Sequence, residues 1–216
     1  MRLAKDIKGY KMTSTSEFNH NLTTLIAQET ITRVIETGSY LGNGTTKAVL
    51  KGFKLHDFEY KFISLEVNPE YYKSALANNI GSGILFINAL SVPRKMIPVS
   101  ITIDAPDYVI VDHLNLSNYS NEIQYDVPDS MLNLAVELKP ELVILDSVGH
   151  LGFIEFNYLM SLLPSHEFYL ALDEINHIKH YHTMELIKQN QDKFQIIWQS
   201  QTDQDHQSSI IQVNAS

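Results

Sequence analysis

Short apolar runs alternate with amphipathic segments along most of the chain. Five runs rich in β-branched or aromatic residues predict buried strands near 33–36, 60–66, 84–87, 142–145 and 168–172. Segments with apolar residues at helical spacing lie between or after them, near 44–55, 69–79, 152–163 and 178–190. Strands that are apolar on both faces and alternate with helices are typical of a parallel sheet covered on both sides.

The two ends of the chain extend this pattern. Ser14 and Glu17 have capping-box spacing, which predicts an N-terminal helix within about 14–30. Apolar runs at 194–198 and 209–213 are joined by a polar loop too short for a helix, which predicts an antiparallel hairpin. We expect one α/β domain over 1–216, a doubly wound, mostly parallel seven-stranded sheet with helices on both faces and a C-terminal antiparallel hairpin.

Residues 91–139 have a less regular pattern. The run 107–112 is compatible with a competing strand, and an Asn-, Ser- and Tyr-rich stretch follows it. Long inserted loops in compact domains are usually functional lids or flexible segments. We interpret this region as a lid insertion over the carboxyl end of the sheet.

Composition limits the classes of molecule that the chain is expected to bind. Its 216 residues suffice for one large core, and a net charge of −9 without a Lys/Arg-rich run argues against nucleic-acid binding. The absence of cysteine excludes disulfides and thiolate chemistry. No stretch approaches the roughly 18 apolar residues of a membrane helix. We expect a cytoplasmic protein with no membrane partner. The sequence does not fix its oligomeric state and is compatible with a homo-oligomer.

Three glycines follow the first predicted strand. Gly38, Gly42 and Gly44 allow a close backbone approach to a ligand, but their spacing is not the Gly-x-Gly-x-x-Gly of NAD sites. Glu66 ends the second predicted strand, 22 residues beyond Gly44, where a carboxylate can accept both hydroxyl protons of a ribose. Together these residues indicate an adenosine-containing ligand without a pyrophosphate.

Residues 34–45 and 64–68 resemble the first and second motifs of class I S-adenosylmethionine (SAM) dependent methyltransferases. The resemblance covers most of the chain from about Arg33 to Ile187. It implies SAM as cofactor, with its methionine part near Glu36 and the glycine loop, its ribose on Glu66 and its adenine beside Asn88 or Ala89. The cofactor-binding residues that it implies are Glu36, Gly38, Ser39, Tyr40, Gly42, Gly44, Thr45, Glu66, Asn68, Asn88, Ala89 and Asp146.

Acidic residues follow the fourth and fifth predicted strands. Asp146, Asp173 and Glu174 are expected to converge on one pocket, and three crowded carboxylates favour a divalent cation. The arrangement resembles metal-dependent small-molecule O-methyltransferases, which implies Mg²⁺ or another divalent cation on the acceptor hydroxyl. Glu174 departs from the Asn or Asp of several such families. The alternative is that the carboxylates cap helices or orient neighbours.

Histidines supply the candidate base. His150 lies four residues past Asp146, and these two are the predicted catalytic residues, with His150 as general base. The alternative for His150 is a structural or capping role. His177, His180 and His182 form a second cluster, but a zinc site is not expected there because the chain has no cysteine and the helical faces are mixed.

The sequence thus predicts a SAM-dependent methyltransferase that acts on a hydroxyl oxygen of a small-molecule acceptor. One alternative is an NAD-dependent oxidoreductase, which the glycine spacing disfavours. A second alternative is a non-catalytic binding protein with the same fold, since fold does not fix function. The intact Glu66 argues against a relic that has lost its ligand.

Overall fold

A seven-stranded sheet forms the centre of the protein in the computed structural model, which describes residues 17–56, 58–98, 105–111, 123–200 and 206–215. The strands are β1 (Arg33–Thr37), β2 (Lys61–Glu66), β3 (Leu85–Asn88), β4 (Leu142–Leu145), β5 (Phe168–Leu172), β6 (Phe194–Gln199) and β7 (Ser209–Val213). Their order is β3-β2-β1-β4-β5-β7-β6. The first five are parallel, and β7 runs antiparallel to β5 and β6. The predicted sheet and terminal hairpin are confirmed.

The helices of the described residues follow the predicted order. They are α1 (Glu17–Gln28), α2 (Thr45–Phe53), α3 (Pro69–Asn78), α4 (Met131–Ala135), α5 (Leu151–Leu162) and α6 (Tyr181–Gln189), with 3-10 turns at Arg94–Met96 and Val136–Leu138. The predicted cap Ser14 lies outside the described residues. None of these helices has the length and apolarity that a membrane span requires.

Helix α6 begins later than predicted, at Tyr181 rather than near Ile178. A turn comes first, because Glu174 has a φ of 59° and its carbonyl accepts the N–H of His177 at 3.0 Å. The carbonyl of His177 in turn accepts the N–H of His180 at 3.1 Å. These bonds hold residues 174–180 as a compact connection between β5 and α6.

Two apolar layers cover the sheet. Helices α1 and α2 bury Phe18, Leu22 and Val49 against one face, and α5 and α6 bury Leu159 and Ile187 against the other. Strand β4 is fully buried along its whole length. Since helices cover both faces, the carboxyl edge of the sheet is the open place for a ligand.

The irregular region differs in part from its prediction. Residues 105–111 form no strand. Pro106 to Val109 form a turn, and Ile110 makes only an isolated bridge with His177. Helix α4 was not predicted; its Leu132 is fully buried in the core. Residues 99–104 and 112–122 lie outside the described residues, so the lid stays a prediction.

Candidate functional site

The carboxyl ends of three strands lie side by side at one edge of the sheet. Thr37 at the end of β1 pairs with Leu145 of β4, which pairs with Leu172 of β5. The direction of strand order reverses between β1 and β4, which is where open α/β sheets bind ligands. A Cβ on Gly38 would lie 2.4 Å from the carbonyl oxygen of Asp146. Only glycine allows the two strand ends this close.

The glycine loop turns from β1 into α2 through three left-handed positions, of which two are glycines. Gly38 has a φ of +74° and Gly42 a φ of +66°. A Cβ on Gly42 would lie 2.5 Å from Nδ2 of Asn79, and that amide donates to the Gly42 carbonyl at 3.0 Å. Gly44 precedes Thr45, the first residue of α2. The predicted loop residues therefore form one tight turn at the edge between β1 and α2.

Glu66 ties this loop to the end of β2. Its Oε2 accepts the backbone N–H of Tyr40 at 2.7 Å, and its Oε1 accepts that of Asn68 at 2.9 Å. Burial raises the pKa of the Tyr40 phenol, and the charge of Glu66 adds to this. Each oxygen of a carboxylate has a second lone pair. The carboxylate of Glu66 lies at the edge of the glycine loop, and its contact with a ribose stays a prediction.

Ser39 presents a buried hydroxyl within the loop. Its Oγ has no hydrogen-bond partner among the described residues, and the residue is 6% exposed. Buried polar groups are nearly always hydrogen-bonded, to protein, water or ligand. The hydroxyl thus fits a cofactor seated on the glycine loop.

Glu36 lies beneath the loop rather than in the open. Its carboxylate accepts the hydroxyls of Thr45 at 2.5 Å, Thr46 at 2.8 Å and Ser64 at 2.8 Å. Burial raises the pKa of Glu36, and these three bonds oppose the shift. The contacts join the start of α2 to β2 below the predicted cofactor site. A direct contact of Glu36 with the methionine part of SAM stays a prediction.

The residues predicted beside ribose and adenine shape the turns after β2 and β3. The side-chain oxygen of Asn68 accepts backbone N–H groups in the first turn of α3. Asn88 donates its amide to the carbonyls of Glu66 at 2.8 Å and Val67 at 3.0 Å, and the N–H of Ala89 donates to Glu66 at 3.1 Å. These bonds fix the end of β2, while adenine contacts remain predictions.

A buried lysine lies among the acidic residues. The ammonium of Lys179 is 2.7 Å from Oδ1 of Asp146 and 3.1 Å from Oε2 of Glu174, and its side chain is 4% exposed. Burial opposes its charge, but the carboxylates of Asp146, Glu174 and Asp173 outweigh burial and raise the pKa of Lys179. Burial would raise the pKa of Glu174, yet Lys179 and other neighbours hold it well below its ordinary value.

This arrangement does not fit the predicted Mg²⁺ ligand set. Asp146 and Glu174 already share an internal cation, and Asp173 accepts the hydroxyl of Ser208 at 2.6 Å. A divalent ion placed among these groups would repel the buried ammonium of Lys179. One ammonium cannot balance three carboxylates, and burial raises the pKa values of Asp146 and Asp173. Lys179 was not predicted from the sequence. The feature that could have indicated this ion pair is a lysine five residues after an Asp-Glu pair.

His150 lies at the start of α5, in the cap position. Its Nε2 is buried with no hydrogen-bond partner among the described residues. Burial lowers the pKa of His150, and the neighbouring His182 lowers it further. The imidazole is therefore neutral near pH 7 and has a free nitrogen, as a general base requires.

Glu155 of α5 is a second residue that the sequence did not identify. It is fully buried and accepts the hydroxyls of Thr37 at 2.9 Å and Ser147 at 2.8 Å, and also that of Ser91. Thr37 ends β1, Ser91 follows β3 and Ser147 follows β4. One carboxylate therefore joins three of the segments around the candidate site. Burial raises the pKa of Glu155 against these three hydrogen bonds.

Comparison with known proteins identifies the fold. No protein-family model and no curated protein sequence matches the chain. Among solved structures, it is similar to the O-methyltransferase from Bacillus cereus in complex with SAH (12% identity, TM-score 0.52, covering 91% of this chain and 80% of that chain). It is also similar to the O-methyltransferase TomG from Streptomyces achromogenes in complex with SAM (7% identity, TM-score 0.56, 95% and 82% covered).

The chain has a Rossmann-like α/β fold. A further similar structure is a protein of the NADB-Rossmann superfamily from Streptococcus agalactiae (14% identity, TM-score 0.51, 93% and 69% covered). At these identities the likeness concerns the fold alone, so the chemistry of this chain has to be argued from its own side chains.

Proposed function

We propose that the chain is a SAM-dependent methyltransferase that acts on a hydroxyl oxygen of a small molecule. The observation that carries this proposal is the combination of Ser39 and Glu66 at one strand-end crevice. Ser39 offers a buried hydroxyl with no partner among the described residues, and Glu66 offers a carboxylate anchored by two backbone N–H groups. A ligand with a vicinal diol and a polar group over the glycine loop satisfies both.

Each residue has a separate task in this proposal. SAM, when bound, supplies a methyl group on a sulfonium sulfur. Glu66 accepts the ribose hydroxyls, and Ser39 donates its hydroxyl to the cofactor. The Asp146 side chain, 19% exposed at the same edge, orients the acceptor. His150 takes the proton of that hydroxyl on Nε2, so most of the catalysis comes from positioning and removal of one proton.

The electrostatics of the site support a cationic cofactor. Asp146, Asp173 and Glu174 face the single positive charge of Lys179, so their formal sum is negative. A negative crevice attracts a sulfonium and disfavours the two phosphates of a dinucleotide. No step in this scheme uses a metal between Asp146 and Glu174, because Lys179 already lies between them.

Calorimetric titration of the full chain with SAM, SAH and NAD tests the proposal. We expect SAM and its demethylated product SAH to bind and NAD not to bind. Glu66→Gln should weaken SAM binding about 10- to 100-fold, the loss of hydrogen bonds to a charged acceptor. Glu70→Gln is the matched control, since Glu70 is exposed on α3 beside Lys73. Binding of NAD in place of SAM would overturn the proposal.

Ser39→Ala gives an independent signature of the cofactor contact. Removal of a hydroxyl that lacks a protein partner should leave the free energy of unfolding unchanged or slightly raised without ligand. The same change should weaken SAM binding several-fold. A loss of stability without a loss of affinity would assign Ser39 a purely structural role.

A non-catalytic SAM-binding protein is the second candidate, because fold and cofactor binding do not require turnover. The buried free nitrogen of His150 favours the enzyme. Release of SAH in the presence of phenol and alcohol acceptors separates the two. SAM binding with no SAH release from any acceptor would favour the binding protein.

A further inference from the structure

Three side chains with metal-binding atoms lie together just beyond β5. Glu174, His177 and His206 each offer one ligand atom within 4.8 Å of the other two. Oε1 of Glu174 is 3.5 Å from Nδ1 of His206. Two ligands of a tetrahedral zinc ion, at bonds of about 2.1 Å, lie about 3.4 Å apart. This pair already has the separation of two atoms on one ion, and a ring shift of about 1 Å brings in His177.

Backbone hydrogen bonds hold the three ligand positions in place. His177 donates its N–H to the carbonyl of Glu174 at 3.0 Å within the turn before α6. The segment that contains His206 is fixed to the same turn, because the N–H of Ile175 donates to the carbonyl of Gln207 at 2.7 Å. The rings of His177 and His206 lie nearly parallel, with centroids 5.8 Å apart. Two segments distant in the sequence are thus joined at the cluster.

The two oxygens of Glu174 face different side chains. Oε2 contacts the ammonium of Lys179 at 3.1 Å, whereas Oε1 faces His206. The cluster is therefore separate from the position between Asp146 and Glu174 that Lys179 occupies. The Glu174 side chain is 7% exposed and that of His206 is 39% exposed, so His206 provides access from solvent.

We propose that Glu174, His177 and His206 bind a divalent first-row cation of the zinc class. Two imidazoles and one carboxylate select such ions over Mg²⁺, which prefers oxygen ligands. Three protein ligands leave a fourth coordination position for water or for an oxygen of a bound molecule. All three ligands lie outside the glycine loop, and Glu174 is the one residue that this site shares with the acidic group of the proposed cofactor crevice.

Direct titration of the metal-free full chain tests the site. We expect one equivalent of Zn²⁺ to bind, Co²⁺ to give the visible absorption of a tetrahedral site, and Mg²⁺ not to bind. His206→Ala is the main variant, because His206 is partly exposed and is not a partner of Lys179. It should weaken Zn²⁺ binding more than about 100-fold, beyond the effect of changes outside the ligand shell. His177→Ala should do the same.

Two histidine variants serve as matched controls. His182→Ala changes an imidazole on the adjacent helix α6, and His20→Ala changes an exposed one on α1. Both should retain Zn²⁺ affinity and the Co²⁺ spectrum. No Zn²⁺ binding by the unchanged chain, or binding by His206→Ala and His177→Ala that is as tight as that of the unchanged chain, would overturn the proposal. SAM titration of the same samples reports the cofactor site separately.

Discussion

The ammonium of Lys179 lies 2.7 Å from the carboxylate of Asp146, with both groups at the carboxyl edge of the sheet. A covalently attached cation cannot exchange with solvent, so the charge beside Asp146 is a fixed part of the fold. The carboxylate is thereby held in one orientation. In the mechanism that we propose, this orientation positions the acceptor without a bound metal.

Lys179→Met should destabilise the protein strongly. The change leaves Asp146 and Glu174 without their shared partner, and removal of one member of a buried ion pair costs about 3–5 kcal/mol. Urea unfolding measures the difference. Lys188→Met is the control, since Lys188 is 56% exposed beside Glu185, and it should change the free energy by less than about 0.5 kcal/mol. Equal effects of the two variants would contradict a structural role for Lys179.

Much of the fold follows from local sequence pattern, but the polar contacts of the site do not. Strands with continuous apolar runs and the turn glycines Gly38 and Gly42 are predictable because they depend on neighbours in the chain. Glu155 bonds to Thr37 and Ser91 across 118 and 64 residues. Such pairs depend on which strands become adjacent, and spacing within one segment carries no information about that.

Single-residue backbone geometry explains the remaining differences. The expected helix near 178–190 starts late because Glu174 adopts a left-handed conformation, which is uncommon for a non-glycine residue. Short helix α4 was not predicted because its five residues make fewer than two helical turns, too few to show a repeating pattern. The zinc ligands His177 and His206 that we propose are 29 residues apart and belong to no spacing motif.

Gly38→Ala and Gly81→Ala distinguish two reasons why a position needs glycine. One is a left-handed backbone, and the other is a lack of space for a Cβ. Both have a left-handed φ, +74° and +75°, but a Cβ on Gly38 would meet the backbone of Asp146, whereas one on Gly81 would meet nothing within 4 Å. Gly81→Ala should cost only the left-handed penalty of about 1–2 kcal/mol. Gly38→Ala should cost about 1–3 kcal/mol more through overpacking and should also abolish SAM binding.

Urea unfolding and SAM titration of both variants check this prediction. An equal loss of stability would mean that the Gly38 loop can move away from Asp146. Full SAM affinity in Gly38→Ala would contradict the place of the cofactor in our scheme.

His150→Gln should lower kcat by about 100-fold or more with little change in SAM affinity, as expected for loss of a general base. The control is His182→Gln, which removes a charge that lowers the pKa of His150. A base works in its neutral form, so the rate falls as the pH drops below its pKa. Raising that pKa should move the acid limb of the pH profile to higher pH.

SAH release at a series of pH values measures both effects with whichever acceptor supports turnover. A purely structural His150 would leave the position of the acid limb unchanged in His182→Gln. Unchanged kcat in His150→Gln would remove His150 from the mechanism.

Glu155→Gln should alter the pH dependence of stability. Burial raises the pKa of Glu155 above its ordinary 4.5, so the folded state retains a proton that the unfolded state has lost. This contribution is fully present below 4.5 and is lost as the pH rises through the folded-state pKa. The advantage of the unchanged protein over Glu155→Gln should therefore grow as the pH falls from about 8 to about 5.

Urea unfolding of both proteins across that range provides the measurement, with Glu185→Gln as an exposed control on α6. Parallel stability curves for the unchanged protein and Glu155→Gln would show that Glu155 does not retain its proton on folding.

The three hydroxyl groups that donate to Glu155 have a further consequence for local unfolding. Thr37, Ser91 and Ser147 belong to different segments, yet each loses its carboxylate partner when its segment moves away. Opening one segment leaves a buried carboxylate with fewer donors and so weakens the hold on the other two. We therefore expect the floor of the crevice to open and close as one cooperative unit rather than as three independent loops.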